Sequence, residues 1–146
     1  MRDVSVDATV PGGCPDAVFA AVADFAAYPR HTDAVREVRV TDTEVGRESA
    51  WRVTFRNGVL AWTERDAVDP AGRRIAFEQV DGDFAAFAGS WSVRAVDGGA
   101  AVRFAATFDM GMPSLAPMID PIAERALVDN IRAILGGLLG PGVTFP

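Results

Sequence analysis

Residues 48–68 read ESAWRVTFRNGVLAWTERDAV, two runs of alternating apolar and polar residues hinged on Asn57-Gly58. Alternation with period two is the mark of a half-buried strand, and an Asn-Gly pair accepts the positive φ that a tight hairpin turn demands. The segment therefore predicts an antiparallel hairpin, Glu48 to Arg56 followed by Val59 to Val68. In its first arm Trp51, Val53 and Phe55 share one face while Arg52, Thr54 and Arg56 share the other, so the aromatic face is the interior. In its second arm Leu60, Trp62, Glu64, Asp66 and Val68 share a face. With Leu60 and Trp62 pointing inward, Glu64 points inward too.

The same reading extends outward along the chain. Strands are expected over Arg36 to Glu44, Arg73 to Val80, Phe84 to Val96 and Ala101 to Met110, separated by Val45-Gly46-Arg47, Asp69-Pro70-Ala71-Gly72, Asp81-Gly82-Asp83 and Asp97-Gly98-Gly99. Ile75, Phe77 and Gln79 share a face, as do Phe87, Gly89, Trp91 and Val93, and Val102, Phe104, Ala106, Phe108 and Met110. An initial strand alternates Val4, Val6, Ala8 and Val10 with polar residues up to Pro11-Gly12-Gly13. Pro15 and Asp16 then lead an alanine-rich stretch, Ala17 to Phe25, predicting one or two short helices that Tyr28-Pro29 ends or bends. Asp120 as N-cap with Pro121 in the first helical position predicts a long helix to about Leu135, stopped by Gly136-Gly137. Its Ile122, Leu127, Ile131, Ile134, Leu135 and Leu138 are expected against the sheet. Strand, short helices, meander and terminal helix together predict an α+β domain spanning residues 1–146, with a curved antiparallel sheet around the last helix and room for an apolar cavity.

Composition narrows the function. A chain of 146 residues, 49% hydrophobic and 23% charged, suits one compact core. No apolar run reaches the roughly 18 residues of a membrane span, and no secretory-type leader is evident, so a cytoplasmic location is expected. A single cysteine, Cys14, and a single histidine, His31, do not make a typical structural metal set. A net charge of -6 opposes nucleic acid and anionic membranes. All 14 basic side chains are arginines, which excludes lysine-dependent Schiff-base, P-loop and pyridoxal phosphate chemistry. The Gly-x-Ser-x-Gly, Gly-x-Gly-x-x-Gly and His-Glu-x-x-His motifs are missing as well.

What is left is acid–base chemistry. A carboxyl desolvated among Trp51, Trp62 and Trp91 has its pKa raised and can exchange a proton near neutrality, which makes Glu64 the leading candidate; the plain alternative is an ion pair with an arginine. Gln79 and Asn130 can orient a carbonyl or simply satisfy backbone groups. Asp66 is expected toward the rim, and His31, after Tyr28-Pro29-Arg30, in a loop at the mouth. Trp51, Trp62, Phe77, Phe87, Trp91 and Phe104 serve either as core or as the walls of a site for a flat apolar ligand.

Several segments carry a family resemblance: Phe25-Ala26-Ala27-Tyr28-Pro29, Asp69-Pro70-Ala71-Gly72-Arg73-Arg74-Ile75, Asp81-Gly82-Asp83-Phe84, Gly89-Ser90-Trp91 and Val102-Arg103-Phe104. Across nearly its whole length the chain resembles the polyketide cyclase/dehydrase branch of the START-like SRPBCC superfamily, which also includes coenzyme Q-binding and RatA-type proteins. The resemblance implies a helix-grip fold with a deep cavity. It implies aldol closure and dehydration of a poly-β-ketone presented on an acyl carrier protein, with no organic cofactor or metal. In the family an arginine and a hydroxyl residue act from the strand corresponding to Val59 to Val68. Here the inward positions are Trp62, Glu64 and Asp66, a departure unless the register turns Arg65 inward. Two functions are therefore expected to compete. One is a cyclase, aromatase or dehydratase with Glu64 as acid/base, Gln79 and Asn130 orienting carbonyls. The other is a carrier or sensor of a quinone, lipid or polyketide, gated around Tyr28 to Asp33 and Gly111 to Ala116. A RatA-type interaction module working through the outer surface is a third reading.

Overall fold

The computed structural model describes residues 1–55 and 58–146. Seven strands form one antiparallel sheet: β1 (Arg2–Pro11), β2 (Val35–Thr43), β3 (Gly46–Phe55), β4 (Gly58–Asp69), β5 (Arg74–Gly82), β6 (Ala86–Val96) and β7 (Gly99–Asp109). Their spatial order is β1-β7-β6-β5-β4-β3-β2, so every neighbour from β2 to β7 is joined by a hairpin and β1 closes on β7. The predicted Asn57-Gly58 turn lies partly outside the described residues.

Three α-helices cover the inner face: α1 (Pro15–Ala23), α2 (Tyr28–His31) and α3 (Ala116–Leu139). The curved sheet grips α3, as the helix-grip expectation requires. The inward faces predicted by alternation are largely buried, from Val4, Val6 and Ala8 in β1 to Val102, Phe104, Ala106 and Phe108 in β7, although Val68 near the end of β4 is exposed. Gly89 shows why β6 and β7 can close on each other: a Cβ there would collide with the Ala105 carbonyl oxygen.

Three helix expectations need correction. The first helix ends at Ala23, before Tyr28-Pro29; Tyr28 caps a one-turn 3-10 helix, Phe25–Ala27, and opens α2, because a proline in the first turn forfeits no intrahelical bond. Pro121 does not start α3. The helix begins five residues earlier, at Ala116, with Pro117 in its first turn, so Pro121 lies inside it. Gly136-Gly137 does not stop α3 either, and the helix continues to Leu139, where Gly140 at φ 85 ends it. On its face Ile122 is 42% exposed, and Ala123 takes the buried place expected for it, alongside Ile131, Ile134 and Leu135.

Candidate functional site

The predicted β3–β4 hairpin supplies the site. Register pairs Arg47 with Asp66, Ser49 with Glu64, and Trp51 with Trp62, so six inward side chains from two strands form three successive rows. One end row is a stacked indole pair, with ring centroids 5.7 Å apart and planes 4° from parallel. The two rows beneath it are polar. Ser49, Glu64 and Asp66 are all buried, the two carboxyls at 3% exposure each.

Each indole is tied to this polar layer. Trp62 Nε1 donates to Glu64 Oε1 at 2.7 Å, and Trp51 Nε1 donates to Ser49 Oγ at 2.8 Å. Ser49 in turn donates to Asp66 Oδ2 at 2.7 Å. Arg47 places Nε 3.5 Å from the same Asp66 oxygen, donates from Nη1 to the Ala23 carbonyl at 3.1 Å, and lays its guanidinium over Phe25, 4.4 Å from the ring centre. Burial is the main force pushing the Glu64 carboxyl well above the ordinary carboxylate range; Asp66 adds to it by hydrogen bonding and like charge, while Trp62 and Arg47 act against it. Tyr28 abuts this layer, completely buried, its hydroxyl donating to the Val22 carbonyl. Burial first and Glu64 second raise its phenol far above the usual value.

Above Glu64, between sheet and α3, lies a cavity of about 40 Å³ lined by Trp51, Val53, Trp62, Phe87, Trp91 and Phe104 from the sheet and Leu127, Asn130, Ile131 and Ile134 from α3. A second chamber of about 20 Å³ continues toward the start of α3, past Phe55, Leu60, Phe84, Phe108 and Ala123. Val53, Trp62, Leu127 and Asn130 border both chambers. Space on this scale fits a few waters, against the roughly 300 Å³ or more that a drug-sized ligand occupies. The cavity is thus present where expected but small, because the aromatic side chains around it pack on one another: Phe84 stacks on Phe87 at 4.5 Å and Trp91 meets Phe104 edge-on at 4.8 Å.

Of the residues singled out in the sequence, Glu64, Asn130, Trp51, Trp62, Phe87, Trp91 and Phe104 meet at this cavity. Asn130 also donates to the Thr54 carbonyl at 3.0 Å, fastening α3 to β3. Gln79 sits opposite Glu64 in the register but spends its amide on the Phe84 carbonyl, 2.9 Å away. Phe77 stacks on Phe104 behind the wall. Asp66 is deep rather than at the rim, and Arg65 faces outward and is exposed. His31 ends α2 on the surface and is not among the residues that line the chamber, and Tyr28 is packed in the interior. Arg47 and Ser49 escaped the sequence reading, although carrying the Trp51–Val53–Phe55 alternation back by two and four residues would have found both. Among the described residues no group of three His, Cys, Asp or Glu is placed to hold a metal ion, and no helix is long and apolar enough to cross a membrane.

Comparison with known proteins bears on this arrangement. The family described as polyketide cyclase/dehydrase and lipid transport matches residues 14–135. No curated protein matches the chain. Among solved structures, TTHA0849 from Thermus thermophilus is similar over 94% of both chains with a TM-score of 0.84 and 21% identity. The Zhui aromatase/cyclase from Streptomyces sp. R1128 is similar over 92% of both chains, with a TM-score of 0.78 and 21% identity. The di-domain ARO/CYC BexL from the BE-7585A biosynthetic pathway is 29% identical, with a TM-score of 0.70 over 95% of this chain and 45% of that one. The two full-length likenesses establish the fold, and a START superfamily protein from Mycobacterium smegmatis shares it.

Proposed function

Because the chain belongs to the polyketide cyclase/dehydrase and lipid transport family, we propose that it closes or dehydrates a polyketide-like intermediate by cofactor-independent acid–base chemistry at Glu64. One observation carries the reading: a buried carboxyl, biased toward its protonated form, faces a chamber that is otherwise apolar except for Asn130. When the enol form of a β-ketone chain attacks a second carbonyl, Glu64 gives its proton to the oxygen that accepts the electron pair. It recovers one from the enol hydroxyl, so the carboxyl is reset. Loss of the new β-hydroxyl together with an α-proton then releases water. General acid–base catalysis of this kind contributes roughly 10²–10⁴-fold, and holding the chain in one folded geometry supplies the rest. Asn130 is suited to orient a carbonyl, and the Trp51–Trp62 stack to press the chain flat.

A second reading is favoured by the apolar lining itself: a carrier of a quinone, lipid or polyketide needs the same walls and no proton transfer. The two are separated by incubating the protein with a poly-β-ketone presented on an acyl carrier protein and comparing products with the spontaneous mixture. A shifted ring pattern supports the cyclase. Unchanged products, with selective uptake of isoprenoid quinone in native mass spectrometry, would establish the carrier instead.

A further inference from the structure

The polar layer under the indole pair contains more chemistry than one carboxyl requires. Glu64 and Asp66 are two residues apart on one strand, so both point to the same side, and both are buried. Glu64 Oε1 takes the Trp62 indole proton, and Asp66 Oδ2 takes the Ser49 hydroxyl and faces Arg47. Among the described residues, Asp66 Oδ1 is buried with no donor. An orphaned carboxylate oxygen at this depth is costly, and a protonated Glu64 on the same face of β4 can supply the donor. The charge count agrees. One proton shared by the pair leaves one negative charge, which Arg47 balances; two ionised carboxyls would leave the layer with an uncompensated charge in the interior.

We propose that Glu64 and Asp66 form an acid pair holding a single proton, with Arg47 as its counter-ion, so that Asp66 and Arg47 are positioning residues that set the acidity of the carboxyl facing the cavity. The proposal rests on the reading of Glu64 as the acid–base group, and deepens it. Glu64 rests with its proton directed at Asp66 and lends it to a carbonyl that displaces Asp66 as acceptor. Arg47 is held by the Ala23 carbonyl and by Phe25 rather than clamped on Asp66, and its Nε and Nη2 have no hydrogen-bond partner among the described residues. Its charge is therefore only partly spent on Asp66. The remaining groups that face Glu64 are neutral: Ser49 and Trp51 on β3, Gln79 on β5, Asn130 on α3 and Tyr28 on α2, whose phenol keeps its proton.

The test uses the whole chain labelled with side-chain ¹³C at its glutamates, read by NMR across a pH series without ligand, so that it is independent of any turnover assay. The proposal expects one resonance to titrate well above the others and to vanish in Glu64→Gln. Asp66→Asn should shift that titration to lower pH by about one unit or more, and Arg47→Gln should shift it to higher pH, with Arg47→Lys restoring most of the difference. A Glu64 titrating with the surface glutamates, or Asp66 and Arg47 variants that move it the same way or not at all, would overturn the proposal. If a variant does not fold, infrared spectra of the wild type against Glu64→Gln decide alone: a carboxylic acid carbonyl band at neutral pH that the variant removes supports the pair, and its absence refutes it. A protein that shows this titration but leaves poly-β-ketone products unchanged would keep the acid pair and lose the cyclase.

Discussion

Glu64 is the residue on which stability and chemistry pull in opposite directions. Its folded-state pKa is raised above the value near 4.3 of an unfolded glutamate, so between those two values the native chain binds a proton that the unfolded chain has released. The stability associated with Glu64 is fully present below the unfolded pKa and is lost as pH rises through the folded one. Glu64→Gln keeps the shape, with an amide oxygen for Trp62 and an amide hydrogen for Asp66, and has nothing to ionise. Denaturant midpoints across a series from about pH 4 to about pH 8 should therefore fall with rising pH in the wild type more than in the variant, leaving the variant the more stable at neutrality. Ser49 behaves differently, since its hydroxyl both accepts from Trp51 and donates to Asp66. Ser49→Ala strands two buried partners and should cost about 1–3 kcal/mol in the same measurement.

At the scale of elements, α2 and α3 meet so closely that a Cβ on Gly137 would collide with the His31 carbonyl oxygen, whereas one on Gly136 would meet nothing within 4 Å. Adjacent glycines in one helix thus have opposite predictions. Gly136→Ala should stabilise by about 0.5–1 kcal/mol through helix propensity, and Gly137→Ala should lower Tm by forcing α2 off α3. This pair also shows what the sequence could not disclose. Two glycines after an apolar helical run look like a stop, and only the approach of α2 explains why one is needed inside a helix. Asp120-Pro121 misled for a related reason: it has the form of a helix start, but Pro117 already occupies the first turn of a helix that begins upstream. The central strands were legible almost residue by residue because one face is buried along most of their length, and that alternation placed Glu64 inside. Its partners were legible only in part. Alternation carried back along β3 puts Arg47 and Ser49 on the inner face, but that they lie beside Asp66 and Glu64 follows from cross-strand register, which alternation within a single strand does not report.

Seen whole, the molecule is a sheet whose grip on α3 has closed down to two small chambers divided by Val53, Trp62, Leu127 and Asn130. A ligand of several rings can be admitted only if this partition yields. Leu127→Ala removes a partition side chain that is only partly buried, so it should cost about 2 kcal/mol or less by denaturation. It should also join the chambers and tighten uptake of a naphthalene-sized fluorescent probe; unchanged uptake would show that the partition is not the barrier. All three tryptophans of the chain border the main chamber, so intrinsic fluorescence reports directly on its occupancy.

That property makes one comparison decisive. Wild type and Glu64→Gln are titrated with an aromatic polyketide product by tryptophan quenching, then assayed side by side on a carrier-linked poly-β-ketone. If Glu64 is the acid–base group, the two proteins bind with similar affinity and the variant loses turnover by roughly 10²–10⁴-fold. Equal turnover in the two proteins would contradict that role, leaving the chamber as a place to bind and Glu64 without a part in the chemistry.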